Sequence, residues 1–219
     1  MKILSLDVSG NYSSISLLND DEVNTFTQTH DRKDRPYWDK LFARIGFDSK
    51  KGFDTLDGLA FASGPGSYTA LRITASFLKA IAEVKELPLI PISNLESIAQ
   101  QASQWINAVE ANIYVTIEAD SKESYFCNYK KNKDELTPTA TESVIEMGKL
   151  TAIANKEGCY FAGTGWPIEV TKNSNFLSQA KGSAESIALL AKKKLETGAS
   201  FLPENANPVY LKTPDYQKS

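Results

Sequence analysis

The amino-acid sequence predicts an α/β protein of two lobes, in which each lobe is a mixed β-sheet flanked by helices. Three observations predict this class. Short alternating strands open the chain, strand and helix then alternate over residues 59–106, and a second set of strands begins near residue 111. Hairpins followed by strand–helix units are typical of a sheet that is antiparallel at one edge and parallel at the other. We place the lobes at residues 1–108 and 109–219, each long enough to bury a core.

The first strands contain the earliest candidate site. Residues 2–8 have the pattern of a buried strand ending at a carboxylate, and residues 14–18 and 22–28 predict the next two strands. Asp7 and Ser9 then lie at the first turn, which resembles the opening of the actin, hexokinase and heat-shock-chaperone class of folds (ASKHA). In that class the aspartate and its hairpin lie over the nucleotide phosphates. The alternative is the local turn chemistry that aspartate commonly supplies.

A helix is predicted over residues 36–45, with Asp34 as a cap and Pro36 in its first turn. Its apolar residues share one face at helical spacing, and two of them are large aromatics. This face predicts core packing, with a partner-binding surface as the alternative. The four residues are Trp38, Leu41, Phe42 and Ile45.

The central motif is a Gly-Pro-Gly turn at residues 64–66, between a buried strand at 59–62 and a helix. This arrangement points backbone N–H groups and a helix N-terminus at whatever lies above the sheet. Ser67 or Thr69 can cap the helix. The motif predicts either an anion site or a rigid corner that fixes how the helix is presented, and a plain helix start is the third interpretation.

The helix after this turn carries two opposed apolar stripes. A surface helix buries one apolar face, so a second face needs a cover, either a neighbouring helix of this chain or another protein. The spacing does not choose between these covers, although Ala75 and Ala82 would permit a close helix–helix approach. One stripe is Leu71, Ala75, Leu78 and Ala82, the other is Ile73, Phe77, Ala80 and Val84, and the polar sector is Arg72, Ser76, Lys79 and Glu83.

A parallel crossover follows this helix. Residues 87–92 predict a short strand, and Ser93 with Glu96 forms the pattern of a capping box before an apolar stripe that reaches Ile106. Two strand–helix units behind three antiparallel strands predict a right-handed crossover and the layout of a ribonuclease-H-like lobe.

The second lobe has weaker signals. Gly163 and Gly165 form one Gly-x-Gly, which is an ordinary loop signal more often than a phosphate signal. The remaining predicted elements are strands at 112–118 and 124–129, a short helix at 141–150, a helix at 183–196 and an extended segment at 207–212.

The composition excludes several classes of function. The formal net charge is −3, so no overall basic field draws the chain to nucleic acid. Cys127 and Cys159 lack metal or redox spacing, and a single histidine, His30, excludes a two-histidine metal site. No run approaches the length of a membrane span, and Asp7 and Ser9 interrupt the apolar start of the chain. We therefore expect a cytoplasmic protein without membrane association.

The Gly-Pro-Gly turn and its helix resemble the Gly-Pro-Gly-Ser-Phe-Thr-Gly-Leu-Arg-Ile signature of the bacterial TsaB (YeaZ) proteins. Those proteins are partner subunits in making the threonylcarbamoyladenosine modification of transfer RNA. Residues 163–166 and 208–212 also match family features in order, so the resemblance spans nearly the whole chain. The signature residues here are Gly64, Pro65, Gly66, Ser67, Tyr68, Thr69 and Arg72.

The resemblance implies an actin-like (ASKHA) fold with ribonuclease-H-like lobes, whose first lobe pairs through its helices with the catalytic paralogue TsaD. TsaD uses a His-x-x-x-His metal site, which a chain with one histidine cannot build. The resemblance therefore implies a non-catalytic scaffold or activator, with no metal and no cofactor. TsaE would join the assembly, and tRNA would be reached only through the complex. A homodimer without TsaD is the alternative for the same surface, and an independent ATPase or small-molecule kinase is the alternative function.

Two sets of site residues follow from the resemblance. The partner-binding set is Trp38, Phe42, Leu71, Ala75, Leu78, Lys79 and Ala82. The set for a vestigial nucleotide site is Asp7, Ser9, Gly163 and Gly165.

The chain also departs from the family pattern. Ala70 and Thr74 stand where the family has glycine, and their added side chains alter how near another backbone can come, so we expect a shifted interface. Residues 118–125 correspond to the family segment Asp-Ala-Arg-x-Gly-Glu-Val-Tyr. This segment keeps Glu123 and Tyr125 but lacks the arginine and the glycine, so any function that depends on them is in question.

Overall fold

The computed structural model describes residues 1–29, 37–154, 156 and 158–212, and it has the predicted two-lobed α/β fold. His30, Asp34 and Pro36 lie outside the described residues, so the predicted cap of the first helix does too. That helix, α1, spans Trp38–Arg44.

The first sheet has the strand order β3-β2-β1-β4-β5. Strands β1 to β3 are antiparallel neighbours, whereas β4 and β5 run parallel to β1. This is the predicted ribonuclease-H-like layout, in which the parallel strands are joined by crossover helices. The strands are β1 (Lys2–Asp7), β2 (Tyr12–Asn19), β3 (Glu22–Thr29), β4 (Gly58–Gly64) and β5 (Leu89–Ser93), and the helices that follow β4 and β5 are α2 (Tyr68–Lys85) and α3 (Asn94–Ser103).

The second sheet repeats this order. Its path is β11-β10-β6-β7-β8, so counting strands within each lobe gives third-second-first-fourth-fifth in both. The lobes are thus related in topology, although the sequence shows no internal repeat. The strands are β6 (Glu110–Glu118), β7 (Glu123–Asn132), β8 (Glu135–Pro138), β9 (Ser143–Glu146), β10 (Cys159–Gly163) and β11 (Phe176–Leu177), and the helices are α4 (Met147–Ala154), α5 (Ile168–Thr171) and α6 (Ala184–Glu196).

The helix predicted at 141–150 is wrong in its first half. Residues 143–146 form β9, which pairs antiparallel with β7, and the helix α4 begins only at Met147. A short strand gains its hydrogen bonds from a partner distant in sequence, which local spacing does not reveal.

The lobes exchange their last helices. The apolar side of α3 packs on the second sheet, where Leu95 and Ile98 join the core of Ile113 and Val115. The helix α6 returns to the first sheet and packs on β1, β2, β4 and β5. The assignment of all residues after 109 to the second lobe therefore fails, because the helix predicted at 183–196 belongs to the core of the first.

The chain after α6 stays on the first lobe. The backbone N–H of Leu89 in β5 donates to the carbonyl oxygen of Phe201, and the N–H of Val209 donates to the carbonyl oxygen of Ser63 in β4. A 3-10 turn at Pro203–Asn205 lies between these two points and packs on α2. The extended C-terminal segment predicted at 207–212 thus runs along the side of α2.

Candidate functional site

The Gly-Pro-Gly turn is wedged between two other segments. The N–H of Ser67 donates to the carbonyl oxygen of Ser9 over 2.8 Å, which fixes the turn to the β1–β2 turn. A Cβ on Gly64, whose φ is +123°, would lie 2.5 Å from the carbonyl oxygen of Val209, and one on Gly66 would lie 2.8 Å from the Cβ of Ser9. Ser67 occupies the N-cap position of α2 without a side-chain capping bond, so the predicted capping by Ser67 is wrong.

One apolar stripe of α2 faces the protein's own sheet. Leu71, Ala75, Leu78 and Ala82 are 2%, 3%, 0% and 0% exposed. Ala75, Leu78 and Ala82 pack in the core cluster that contains Phe61 of β4 and Phe42 of α1. This stripe, together with Phe42, therefore cannot meet a partner, and its assignment to the partner-binding set is wrong. Both stripes of α2 are apolar, so only the packing of the helix on β4 distinguishes the inner one.

The polar sector of α2 is held by the C-terminal segment. Arg72 Nε donates to Tyr210 Oη over 3.1 Å. Lys79 Nζ donates to Asn207 Oδ1 over 2.6 Å and to the carbonyl oxygen of Glu204 over 3.3 Å. Lys79, which the sequence assigns to a partner, is therefore engaged within the chain.

The remaining side of α2 is an exposed apolar stripe, which we call the outer face and define as Ile73, Phe77, Ala80 and Val84. Val84 is 79% exposed and Ile73 is 36% exposed. The ring of half-buried Phe77 stacks on Trp38 of α1 with centroids 4.8 Å apart and planes 8° apart. Trp38 thus borders the outer face, as the sequence predicts for a partner-binding residue.

A cleft of about 620 Å³ lies between the lobes. The structure brings Asp7, Ser9 and the Gly-Pro-Gly turn to one wall, and Glu118 and Thr164 to the opposite wall. The two glycines at 163 and 165 flank Thr164, so the two halves of the predicted nucleotide set do face the same cavity.

The carboxylate of Asp7 is already occupied. Asp7 is 2% exposed and accepts from the N–H and Oγ of Ser9 and from Tyr12 Oη, over 3.0, 2.6 and 2.6 Å. Burial, and then the charge of Asp7, raise the pKa of Tyr12, so its phenol remains a protonated donor. Asp7 therefore acts as the acceptor that fixes the β1–β2 turn.

The Gly163–Gly165 turn is a close-packed corner. Gly163 has a φ of +93°, and a Cβ there would collide with the carbonyl oxygen of Thr116 in β6. Thr116 Oγ1 donates to the carbonyl oxygen of Thr164 over 2.6 Å, and the N–H of Glu118 donates to Thr164 Oγ1 over 3.0 Å. These glycines are explained by the close approach of backbone to β6, which favours the loop interpretation.

Sequence reasoning missed Asn94, the first residue of α3. Asn94 Nδ2 donates to Ser9 Oγ over 2.6 Å and to the carbonyl oxygen of Pro65 over 2.9 Å, so it joins both turns of the first lobe. Its Oδ1 is buried and lacks a hydrogen-bond partner among the described residues, and Asn94 lines the cleft. The available signal was its place directly after β5, since polar residues at the carboxyl ends of parallel strands gather at one edge of a sheet.

Two searches of the described residues bear on metals and membranes. They contain no group of three or more His, Cys, Asp or Glu side chains that could hold a metal ion. No helix within the same residues is long and apolar enough to cross a membrane.

Comparison with known proteins decides the family. Residues 8–212 match the family model described as "TsaD: tRNA N6-adenosine threonylcarbamoyltransferase". The tRNA threonylcarbamoyladenosine biosynthesis protein TsaB of Haemophilus influenzae is 30% identical over 178 residues, which cover 76% of this chain and 73% of that protein. The chain belongs to the TsaB family. Its relative from Escherichia coli, also named TsaB, is 26% identical over 223 residues, covering 97% and 95% of the two chains.

The fold agrees with this family. The crystal structure of YeaZ from Pseudomonas aeruginosa has a TM-score of 0.80 to this chain at 24% identity, and the match covers 96% of this chain and 99% of that one. The likeness shows that the two-lobed fold is shared over essentially the whole length.

The two sequence features of the TsaB family meet in space. Tyr210, from the closing segment, packs on Tyr68 of the signature with ring centroids 4.5 Å apart. The guanidinium of Arg72 lies 4.0 Å from the Tyr68 ring centroid and 5.8 Å from that of Tyr210. The signature turn and the closing segment are therefore parts of one structural unit.

The departures at residues 70 and 74 do not reach the outer face. Thr74 is 1% exposed, and its Oγ1 donates to the carbonyl oxygen of Ala70 over 3.0 Å. Because the Thr74 side chain points into the protein's own core, the interface shift predicted from it is wrong. Ala70 lines the cleft.

Proposed function

We propose that this chain is a non-catalytic scaffold or activator subunit that binds TsaD in the N6-threonylcarbamoyladenosine modification of tRNA. The names of its TsaB relatives support a role in this biosynthesis. The observation that carries the proposal is the outer face of α2. The other two sides of this helix are occupied by the first sheet and by the C-terminal segment, which leaves one apolar stripe exposed.

The chemistry of the stripe suits a helical partner. Ile73, Phe77, Ala80 and Val84 recur every three or four residues, which is the spacing by which helices pack against each other. Small Ala80 permits close approach, while the stacked pair of Phe77 and Trp38 supplies a large aromatic anchor of the kind that dominates interfaces. TsaD, the paralogue implied by the resemblance, would supply the equivalent helices.

The non-catalytic role rests on the residues that the chain carries. Its one histidine cannot form the two-histidine metal site that the resemblance implies for TsaD. Catalysis would then belong to TsaD, TsaE would join the larger assembly, and tRNA would be reached through the complex.

A matched pair of substitutions tests the contact. Val84→Asp places a charge on the outer face, while Val109→Asp makes the same change at a residue that is 60% exposed outside it. We expect Val84→Asp to weaken binding to TsaD by tenfold or more, about 1.4 kcal/mol or more, as measured by calorimetry. Val109→Asp should bind like the parent. Equal effects of both, or parent-like binding by Val84→Asp, would place the interface elsewhere.

A second copy of the chain is the alternative occupant of the outer face. Analytical ultracentrifugation of the isolated chain distinguishes the two, because a homodimer through this face would dissociate in Val84→Asp and would compete with TsaD. A chain that is monomeric alone and binds TsaD one to one would support the heteromeric contact.

An independent ATPase or small-molecule kinase remains the second candidate function, and the cleft with the unpaired Asn94 Oδ1 is the observation that favours it. Against it stands Asp7, whose oxygens already accept three hydrogen bonds. Calorimetry of the isolated chain with Mg-ATP tests this function. Tight binding that Asn94→Leu abolishes would support it, and no heat of binding at millimolar nucleotide would count against it.

A further inference from the structure

The C-terminal segment from residue 207 to residue 212, which we call the strap, crosses from the first lobe to the second. It is attached to the first lobe where the N–H of Val209 donates to the carbonyl oxygen of Ser63 over 2.7 Å. Three residues later, Lys212 Nζ donates to Asp120 Oδ2 over 2.5 Å and to Glu123 Oε2 over 2.7 Å in the second lobe. One short extended segment therefore contacts both lobes.

The anchor on the first lobe uses signature residues. The carbonyl oxygen of Val209 lies so close to Gly64 that a Cβ there would be only 2.5 Å away. Next to it, Tyr210 packs on Tyr68 and accepts a hydrogen bond from Arg72 Nε, while the guanidinium also donates to Tyr68 Oη. The strap is thus held by backbone, ring and cation contacts together.

The anchor on the second lobe is an ionic cluster. Side chains of Lys212, Asp120 and Glu123 are 34%, 43% and 33% exposed, so two carboxylates share one partly buried ammonium group. Asp120 Oδ1 also accepts from the N–H groups of Lys122 and Glu123, which stiffens the β6–β7 turn. Lys212 and these backbone donors lower the pKa of Asp120 to about 2, so the cluster is ionised at neutral pH.

Both anchors adjoin the cleft. Ser63 and Gly64 lead directly into Pro65, which lines the first-lobe wall, and Asp120 follows Ala119, which lines the second-lobe wall. A tie between these two points spans the mouth of the cavity, whereas the other connection between lobes is the exchange of α3 and α6.

We propose that the strap is an interlobe latch that fixes the opening of the cleft, with Lys212 as its closure on the second lobe. The charge at residue 120 is central to this role. The resemblance places an arginine there in the family, which would repel Lys212, whereas this chain has an aspartate that attracts it. In this chain the latch therefore replaces whatever the arginine does in the family segment. It also connects the second lobe to α2 through Tyr210 and Arg72.

The test measures the distance between the lobes in the full chain, without any partner protein. Spin labels are placed on cysteines introduced at exposed Lys50 in the first lobe and exposed Lys133 in the second. Electron double resonance then gives the distance distribution. Lys212→Glu should at least double the width of this distribution, because it replaces attraction to two carboxylates with repulsion. Lys212→Glu combined with Glu123→Lys should narrow it again, since one opposite-charge pair is restored.

The control is Lys172→Glu, the same charge change at the end of α5. It should leave the distribution unchanged. The native thiols of Cys127 and Cys159 are 0% and 6% exposed, so they should not take up label. An unchanged distribution in Lys212→Glu, equal broadening in the control, or failure of the second substitution to narrow it would each overturn the latch.

Amide exchange provides an independent readout. The N–H of Val209 is protected by Ser63 only while the strap is attached, so Lys212→Glu should speed its exchange by about tenfold. Exchange in the core strand β1 should stay at the parent rate, which would exclude general unfolding as the cause. Parent-like exchange at Val209 would show that the strap is held by its first anchor alone and that Lys212 is not its closure.

Discussion

The two lobes share one strand order, but they use the position after their fourth strand differently. In the first lobe β4 ends in the Gly64–Pro65–Gly66 turn and continues into α2, a helix of 18 residues. In the second lobe β10 ends in the Gly163–Thr164–Gly165 turn and leads to α5, a helix of 4 residues. A common topology therefore presents a long helix on one side only. The exposed apolar stripe belongs to the first lobe because only its helix has enough turns for a third side.

The residues around each turn explain the difference. In the second lobe Trp166 is buried in the core, where its Nε1 donates to the carbonyl oxygen of Ala162, and Pro167 occupies the N-cap position of α5. In the first lobe Tyr68 points outward to Arg72 and Tyr210 instead. One turn is closed by a buried ring, and the other is closed by the C-terminal segment.

The largest expected effect breaks the comparison between the two helices. Leu78→Asp in α2 buries a charge in the first core and should destabilise the protein by about 4 kcal/mol or more. Ile168→Asp in α5, at a residue that is 61% exposed, should change stability by less than about 0.5 kcal/mol. Thermal and urea unfolding measure both. A folded Leu78→Asp protein that merely loses TsaD binding would return the inner stripe to the partner.

A smaller effect sharpens the comparison between the two turns. Gly163→Ala should cost about 3 kcal/mol, because its Cβ would strike the backbone of a central strand that cannot move. Gly64→Ala should cost about 1–2 kcal/mol, because the obstructing oxygen belongs to Val209 in the strap, which can detach. Urea unfolding gives both values, and a larger cost at Gly64 would show that the strap is the more rigid neighbour.

The smallest expected effect concerns a carboxyl group between the lobes. Glu142 precedes β9 and accepts hydrogen bonds from Ser93 Oγ and from Tyr129 Oη. Burial raises the pKa of Glu142, and the charge of Glu96 adds to this effect. The native carboxyl therefore binds its proton more tightly than the unfolded one. Stability from this group is complete below the ordinary glutamate pKa of about 4.3 and falls as the pH rises through the native value.

Glu142→Gln should remove this pH dependence, since an amide oxygen accepts both hydrogen bonds without ionising. Denaturation of parent and variant from pH 4 to pH 7 should show the parent losing stability relative to the variant as the pH rises. The difference should stay below about 1 kcal/mol, because the group is only partly buried and solvent screens its charge. A parent that gains stability over this range would show that its hydrogen bonds outweigh burial.

Much of the fold follows from local pattern. The strands of the first lobe, the Gly-Pro-Gly turn, the long helix after it and the capped helix at 183–196 all form as the sequence predicts. Each depends on residues close in sequence, as when Ser183 and Ser186 cap α6. The strand β9 was missed because its four residues become a strand only by pairing with β7.

For the candidate site, the sequence determined that α2 carries two apolar stripes and that its turn is a rigid corner. Only the tertiary structure decided which stripe is inner, because helical spacing defines faces without saying what covers each of them. It also decided that α3 and α6 exchange lobes, that Asn94 joins the two turns, and that Lys212 reaches Asp120. These contacts join residues far apart in the chain, and their energies depend on distances that only the folded arrangement sets.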